Sequence, residues 1–438
     1  MPLATAFLSP LMAQDFVRLS ERSLTGTARY VGMSGAMTAI GGDPCAALDN
    51  PAGLGLYRRS EVLFSLDNLW DRTRQNADAA SARGLFRFGA SQASLVISFG
   101  AYKEEEQGVL FNNIMFSYRR LQSFYRDMYA RSSSEASLGS LLDSYTINLG
   151  IPYCAAPNHA GNILSLRESG SVNEYAFDWG MNISNQLYVG AGVHMISYRF
   201  GADADYYERF NYVSDDGYNC YNENKTSLTY SGIGCNLSAG VIYRPISWLR
   251  LGLSLQTPSV GSLNIYSRGT MYALADSLRS STAPNLATYV RDFHMPFHLS
   301  TSVAFQWDYY GMLSLQYDYL LQSREWGVHS LRAGLEVVPI TGLYINAGYT
   351  YESTFHANNT PVSIDASFDR QDTYFQRMRN TQYASVAIGF RGQHMIVQAA
   401  YQFRWQNINL YAHENAQPYA INTDTHRLVL TFGWHKGW

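Results

Sequence analysis

The sequence predicts an all-β protein: a 14-stranded antiparallel transmembrane β-barrel with an N-terminal luminal hatch. Three observations predict it. Polarity alternates residue by residue along many short segments, the connections alternate between short and long, and the composition is unusual. Only 15% of the 438 residues are charged, and 14% are aromatic, whereas typical globular chains carry about 25% charged residues. Such a composition is typical of a protein whose strands face lipid.

Composition also excludes several classes of protein. The formal net charge is −3, and the 32 Lys and Arg residues form no basic block, so a nucleic-acid partner has no support. The 33 Tyr and 21 Phe residues argue against disorder, because disordered chains contain few aromatics. No run approaches the roughly 18 apolar residues that a membrane-spanning helix needs.

The first residues resemble an export signal. Residues 1–14 read MPLATAFLSPLMAQ, and Asp15 begins a polar stretch. An apolar run that ends in small residues is typical of the tail of a secretory signal, although the usual basic start is missing. We assign residues 1–14 to a signal peptide remnant and leave the start codon and the cleavage site open.

Alternating polarity predicts the strands. Between 393 and 406, Met395 and Tyr401 share one face, whereas Gln398 and Gln402 share the other. This period of two is the pattern of a half-buried strand. The same pattern predicts fourteen strands, near 61–70, 92–101, 109–121, 173–184, 186–200, 228–244, 247–257, 295–309, 312–322, 330–338, 342–352, 381–391, 393–406 and 425–438.

The connections place the long loops at one end. Long connections are predicted near 71–91, 122–172, 201–227, 258–294, 353–380 and 407–424, with 323–329 as a short exception. Tight turns are predicted at Asn185, Pro245–Ser247, Tyr310–Gly311, Pro339–Thr341 and Gly392. Short periplasmic turns, long extracellular loops and an even number of strands are typical of bacterial outer-membrane barrels. We therefore predict a multi-pass barrel over residues 61–438 in a Gram-negative outer membrane, with both termini periplasmic.

Tryptophan positions support this prediction. Tyr and Trp prefer the membrane–water interface, where the ring is buried and its polar atom stays hydrated. Six tryptophans fall at or near ends of predicted strands: Trp70, Trp248, Trp307, Trp405, Trp434 and Trp438.

Residues 15–60 lack this alternation. They contain four closely spaced glycines and then a turn sequence, namely Gly32, Gly35, Gly41 and Gly42, followed by Asn50, Pro51, Ala52 and Gly53. The pattern predicts a short helix near Ser34–Ile40 and then tight turns. A compact segment of small residues could fill a lumen that would otherwise hold an open channel. We therefore assign residues 15–60 to a hatch.

This combination resembles the long-chain fatty-acid transporter (FadL) family of outer-membrane proteins, which also includes aromatic-hydrocarbon transporters. The resemblance rests on Asn50-Pro51-Ala52, the Gly-rich stretch before it, the fourteen strands and the aromatic C-terminus. It implies a hatch that plugs the barrel, capture of a hydrophobic ligand near the extracellular loops, and lateral exit at a kinked third strand. The implied function is passive uptake of hydrophobic small molecules or lipids, such as long-chain fatty acids.

The third strand carries a candidate kink. Alternation fails where Leu110 and Phe111 are both apolar and Asn112 and Asn113 are both polar. Such a break fits a bulge, and we interpret Asn112 and Asn113 as a lateral opening. The alternative is an ordinary strand whose two faces are both partly buried.

No motif indicates catalysis, a metal or a cofactor. His294 and His298 are four apart on a predicted strand, where such residues lie about 13 Å apart. No Cys-x-x-Cys, His-Glu-x-x-His or nucleophile-elbow sequence occurs in a suitable context. We therefore expect no enzyme activity, no metal site and no cofactor.

The cysteines leave two interpretations open. Cys154 and Cys220 both lie in predicted extracellular loops, and an exported protein permits disulfides. These two residues could pair, or all four cysteines of the chain could be free thiols.

A second functional interpretation remains open as well. A barrel of this kind could serve as a structural or accessory subunit of an outer-membrane protein assembly or secretion complex, because one fold supports many roles. The predicted loops at 122–172, 201–227 and 258–294 exceed what capture of a small ligand needs and could bind other outer-membrane proteins.

Overall fold

The structure is a computed structural model. It describes residues 18–76, 81–100, 107–132, 159–213, 219–275, 278–281, 285–323, 326–356, 374–412 and 417–435. In these ranges, no helix has both the length and the apolar composition that a membrane-spanning helix requires.

A single antiparallel sheet closes on itself, because β1 pairs with β2 on one side and with β18 on the other. The eighteen segments are β1 Glu61–Gln75, β2 Arg83–Gly100, β3 Val109–Ser123, β4 Arg126–Ser132, β5 His159–Ile183, β6 Leu187–Val213, β7 Asn219–Ile246, β8 Leu249–Gln256, β9 Val260–Ala275, β10 Leu278–Ser281, β11 Asn285–His294, β12 Phe297–Trp307, β13 Gly311–Ser323, β14 Trp326–Ile340, β15 Leu343–His356, β16 Phe375–Arg391, β17 Met395–Tyr411 and β18 Tyr419–His435.

These segments occupy fourteen strand positions. The chain breaks briefly at 124–125 between β3 and β4, at 257–259 between β8 and β9, and at 295–296 between β11 and β12. Each of these pairs of segments continues along one position, and β10 is a short extension that pairs with β9. The predicted 14-stranded antiparallel barrel is therefore confirmed.

The strands extend much further than predicted at the loop end. β5, β6 and β7 contain 25, 27 and 28 residues. Much of the predicted loops at 201–227 and 258–294 is therefore strand, and the prediction of long loops there is wrong. The physical reason is that the outward-facing residues become polar at this level, which the sequence pattern alone did not distinguish from a loop.

Strand β6 shows this reversal of polarity. Val193 and Met195 point outward with 52% and 43% of their surface exposed, whereas His194 between them is buried. Over residues 196–206 the buried inward residues are apolar or aromatic, and Asp203 is among the exposed outward residues. The outer surface is therefore apolar near the turn end and polar near the loop end. This is the surface expected of a barrel that continues past the membrane into water.

The inward apolar residues of the loop end form one cluster. Its members lie on most of the strand positions from β3 to β11 and on β16 to β18. We call it the upper apolar cluster: Leu19, Leu121, Phe124, Met128, Ala130, Leu164, Leu166, Val172, Ile196, Tyr198, Phe200, Ala202, Ala204, Tyr206, Leu228, Tyr230, Leu263, Ile265, Phe293, Met295, Met378, Ile408, Leu410, Ala412, Tyr419 and Ile421.

From residue 28 to residue 56 the N-terminal segment lies inside the barrel and contains three short helices: α1 (Ala28–Gly32), α2 (Pro44–Asp49) and a 3-10 helix (Pro51–Leu56). The helix predicted near Ser34–Ile40 is absent; those residues form turns. Ser34 and Gly35 have φ values of 49° and 72°, and a right-handed helix cannot pass through such left-handed residues.

Candidate functional site in the lumen and the barrel wall

The described part of the hatch, residues 18–60, is anchored in the barrel through Asn50. Its side-chain oxygen accepts a hydrogen bond from the Ala52 amide at 3.1 Å and so caps the 3-10 helix. Its Nδ2 donates to the carbonyl oxygen of Thr38 at 2.8 Å and to that of Val241 on β7 at 3.4 Å. One buried amide therefore joins two parts of the hatch to the wall, which gives the Asn-Pro-Ala sequence a structural role.

Inward-facing glycines on the strands make room for this turn. A Cβ on Gly240 would overlap the Asn50 side chain, and one on Gly190 would overlap the Pro51 backbone. A Cβ on Gly180 would approach Leu54 Cβ to 2.6 Å. The three neighbouring strands β5, β6 and β7 thus each lack a side chain where the hatch contacts them.

The glycines predicted for the hatch have equally direct roles. Gly35, Gly41 and Gly42 all have positive φ, at 72°, 62° and 64°, and form the turns between the helices. Gly32 and Gly53 need space, since a Cβ on Gly32 would meet Ala387 of the wall and one on Gly53 would lie 3.1 Å from Gly41 Cα.

Arg119 on β3 joins the wall to the hatch. Its guanidinium bonds to Glu174 of β5 at 3.0 Å and to Asp49 of α2 at 2.9 Å, and all three side chains are almost fully buried. Burial alone would raise the pKa of the Asp49 carboxyl, but Arg119 and Arg332 outweigh it and hold that pKa below its usual range. Asp49 is therefore a carboxylate locked in place by cations of the wall.

The chain of buried charges continues to both sides of the lumen. On one side, His194 of β6 lies 3.0 Å from both Glu174 and Asp178. On the other side, Tyr30 of the hatch hydrogen-bonds Asp49, and Arg332 of β14 lies 3.4 Å from the Tyr30 hydroxyl. The hatch is thus held between opposite walls by polar contacts, which are strong in an environment that excludes water.

The wall is interrupted beside Arg119. Strands β2 and β3 pair from Gly100↔Phe111 up to Gln92↔Arg119. Beyond that point, within the described residues, Arg83–Ala90 of β2 form a backbone ladder with β1 only. On the far side of the gap, β3 shifts register after Arg120 in its pairing with β5. One edge of β2 is therefore without a described ladder partner.

β4 turns inward at this point. The backbone carbonyl of Asp127 accepts a hydrogen bond from the inward-facing Thr73 of β1, and Arg131 N donates to Gln75 Oε1 at 2.7 Å. The backbone of β4 pairs with β5 on one side. On the side that faces the gap, side chains of β1 rather than the backbone of β2 bond to β4. The outward Phe86 of β2 is 60% exposed at the same level.

The hatch also contacts the edge of β3 directly. Ser23 N donates to the carbonyl oxygen of Leu121 at 2.9 Å, and the Thr25 hydroxyl donates to that of Arg120. These bonds satisfy carbonyl groups at the level where β2 and β3 no longer pair, as a buried backbone requires. The position of the hatch and the interruption of the wall are therefore mechanically connected.

The lateral opening is not at Asn112 and Asn113, and that interpretation is wrong. Both residues are paired on both sides, with Phe99 and Ser98 of β2 and with Met181 and Gly180 of β5. Asn113 Nδ2 instead donates to the carbonyl oxygens of Leu54 and Tyr57 in the hatch, at 2.6 and 2.9 Å. A register shift does occur nearby, between Val109 and Phe111, but the pairing resumes at once.

The signal for the real interruption lies six residues later. Arg119-Arg120 places two adjacent cations in a strand of a chain with few charges, and Leu121-Gln122 then continues the loss of alternation. All four residues are buried. Sequence analysis missed this site because Arg119 and its partner Asp49 are 70 residues apart.

The lumen contains a cavity of about 80 Å³. It lies between the start of the hatch and the inward faces of strands β12 to β17. It is lined by Glu21, Arg22, Ser23, Gln122, His298, Asp318, Leu320, Val328, Ser330, Arg332, Glu352, Met378, Thr381, Tyr383, Arg404 and Gln406.

The remaining candidates from the sequence are metal sites and cysteines. Among the described residues, no group of three or more His, Cys, Asp or Glu side chains is arranged to hold a metal. Cys154 lies outside the described residues, so its pairing with Cys220 stays a prediction. Cys45 is a free thiol buried in the hatch, and Cys235 is a free thiol on the outer face of β7.

Solved structures share this fold. The chain is similar to a Pseudomonas aeruginosa FadL homologue (12% identity, TM-score 0.58), to the P. putida toluene transporter TodX (11%, 0.56) and to the Ralstonia pickettii toluene transporter TbuX (13%, 0.53). Each match covers 95% of this chain and 99% of the other. No protein-family model matches the chain, and no curated protein sequence matches it. At these identities the likeness establishes the fold alone, a 14-stranded antiparallel barrel.

A side chain at Gly240 should displace the hatch. Gly240→Ala places a methyl group on the Asn50 side chain, and overpacking of this kind costs about 1–3 kcal/mol. We expect faster proteolysis of the hatch in folded protein. Gly100→Ala is the control, because its Cβ would meet nothing closer than 3.5 Å. Equal protease resistance of the two variants would contradict the assigned contact between Gly240 and the Asn50 side chain.

Arg119 should contribute strongly to stability. Arg119→Met leaves Asp49 and Glu174 buried without their cation, and breaking a buried pair costs about 3–5 kcal/mol. Urea unfolding in lipid vesicles, followed by tryptophan fluorescence, measures this loss. Arg167→Met is the matched control, since Arg167 is 72% exposed and lies 3.5 Å from Asp127. If both variants unfold at the same urea concentration, Arg119 does not hold the hatch.

Proposed function

We propose that this protein is an outer-membrane channel for passive uptake of hydrophobic small molecules, which bind in the lumen and leave sideways through the wall. The observation that carries the proposal is the interruption between β2 and β3–β4, which lies next to the upper apolar cluster. The proposed role is passage rather than catalysis.

The route is supported by the position of Phe124. This residue lies in the break between β3 and β4, is fully buried, and belongs to the upper apolar cluster. Leu121 and Met128 on either side belong to the same cluster. A ligand gains about 0.8 kcal/mol for each methylene that it buries in such surroundings, so capture needs no energy source. A path from the cluster past Phe124 does not require the hatch to leave the barrel.

The exit is supported by the residues on the outside of the gap. Phe86 and Phe88 of β2 are each 60% exposed, and Tyr125 at the break is 43% exposed. The ring centre of Phe86 lies 5.4 Å from that of Trp70 of β1, with the two rings tilted to each other. Trp is an aromatic of the kind found at membrane interfaces. The gap would therefore open into lipid near the boundary of the membrane, where an apolar ligand can partition directly.

Side chains rather than backbone bonds close the gap in the described state. The Arg87 guanidinium donates to the Ser123 hydroxyl and lies 4.4 Å from the centre of the Tyr125 ring. Arg83 lies 4.5 Å from the ring of Tyr129. Side-chain contacts of this type rearrange in nanoseconds when exposed, so they form a gate that a ligand can pass.

The setting in the membrane follows from the outer surface. On β8, Leu251, Leu253 and Leu255 all point outward and are 40–48% exposed. Such a belt would be unstable in water and fits the hydrocarbon layer of an outer membrane. We propose the orientation with the tight turns and both termini in the periplasm, and the extended strands at the cell surface.

Two chemical classes of ligand, alkyl chains and aromatic rings, fit the proposed channel. Of the three solved structures named above, one is a FadL homologue and two are toluene transporters. The upper apolar cluster is compatible with an alkyl chain such as that of a long-chain fatty acid and with an aromatic ring. The alternative role as a subunit of an outer-membrane assembly gains no specific support, because no described feature identifies a protein-binding surface.

Cross-linking the gap should stop uptake. Cysteines at Arg87 and Ser123, in a Cys235→Ser background, would join β2 to β3 across the interruption when a short bifunctional thiol reagent is added. We expect uptake of radiolabelled toluene and oleate by a Gram-negative host to fall to the level of cells without the channel. A reducible reagent should allow recovery.

The control is a cysteine pair at Leu95 and Phe116, which face each other where β2 and β3 are regularly paired. The same reagent should leave uptake there unchanged. Unaltered uptake in the cross-linked Arg87–Ser123 variant would rule out lateral exit at this gap. The ratio of toluene to oleate uptake also distinguishes the two ligand classes.

A further inference from the structure

The cavity in the lumen is lined by charged side chains, which an apolar ligand would not need. Its lining includes three arginines and three carboxylates, namely Arg22, Arg332, Arg404, Glu21, Asp318 and Glu352. Buried charges are costly unless they are paired and hydrogen-bonded. The partners of each charge therefore indicate what the cavity is suited to hold.

The arginines of the lining are largely satisfied. Arg332 Nε lies 2.8 Å from Asp318 Oδ2. Arg22 Nη1 donates to Gln256 Oε1 at 2.8 Å. Arg404 Nη2 donates to Thr425 at 2.8 Å and leaves only its Nε without an acceptor. An anionic ligand would have to displace these contacts.

Two carboxylates of the lining, unlike the largely satisfied arginines, have oxygens without a hydrogen-bond partner in the described part of the chain. Glu21 uses Oε2 to accept from Arg18 and Gln122, but its buried Oε1 has no partner within the described part of the chain. Glu352 forms no ion pair or side-chain hydrogen bond with the residues that the structure describes, although Arg332 and Arg404 act on it at longer range. The cavity therefore has a surplus of acceptors over donors.

We propose that this cavity binds the ammonium head group of an amphiphile whose apolar body packs on the upper apolar cluster. The ammonium donates hydrogen bonds to Glu352 and Glu21. A hydroxyl oxygen carried by the same head group would accept from Arg404 Nε. A carboxylate head group is disfavoured, because it would bring a further negative charge to the two unpaired acceptors.

The cavity adjoins the cluster at Met378 and near the start of the hatch. Met378 of β16 belongs to both, and Leu19 of the cluster lies two residues before Glu21 in the hatch segment. A volume of about 80 Å³ suits a small polar group, since one water needs roughly 10–15 Å³ by the same measure. The apolar body would have to lie outside it, against Met378.

This inference rests on the proposed function and adds the polar end of the ligand. The test measures binding of hexylamine, hexan-1-ol and hexanoate to the protein in lipid nanodiscs, by isothermal titration against empty nanodiscs. Toluene is titrated in parallel as an apolar probe. We expect hexylamine to bind more tightly than hexan-1-ol, and hexanoate to bind least.

Glu352→Gln should weaken hexylamine binding about tenfold or more, because it removes a charged hydrogen bond, and should leave toluene binding unchanged. Asp203→Asn removes the same charge from the outer face of β6 and should change neither affinity. Glu352→Lys should reverse the preference toward hexanoate, so the test does not depend on one variant.

Equal binding of hexylamine and hexanoate, or unchanged hexylamine affinity in Glu352→Gln, would overturn the assignment of the cavity. If toluene binds normally in that case, only this inference fails. If wild-type protein binds neither toluene nor hexylamine above the empty nanodiscs, the proposed uptake function fails as well.

Discussion

The ion pairs of Arg119 with Asp49 and Glu174 connect β3, the hatch and β5, and the rest of the structure depends on this connection. They join the hatch to the wall at the last residue of β3 that pairs with β2. A backbone in lipid must satisfy its polar groups internally, so an interruption of the wall is tolerable only where something else bonds the exposed edge. Ser23 and Thr25 of the hatch do so for β3. The hatch therefore satisfies the β3 side of the gap.

The same arrangement divides the lumen into two levels. At the turn end the interior is polar and filled by the hatch, with networks such as that of His194, Glu174 and Asp178. At the loop end the upper apolar cluster lines much of the interior, and the outer surface is polar. Under the proposed function, an apolar ligand would be accommodated at the loop end, next to the break at Phe124.

Much of the architecture could be predicted from local patterns. Alternation along the strands, the tight turns at one end and the Gly-rich segment before Glu61 predicted fourteen strands and a hatch, and the barrel is as predicted. Where local pattern was ambiguous, prediction failed. Polar outward residues such as Asp203 made strand look like loop. The doubled asparagines at 112–113 suggested a kink, although both lie in a paired ladder and Asn113 contacts the hatch.

The sequence by itself determined the class of fold, because the period of two and the low charge are properties of neighbouring residues. Only the tertiary structure decided where the wall is open, which charges lock the hatch and which carboxylates remain without partners. These features depend on residues such as Arg119 and Asp49, or Glu21 and Glu352, that are far apart in the chain. No local spacing relates them, and they meet only when the barrel closes around the hatch.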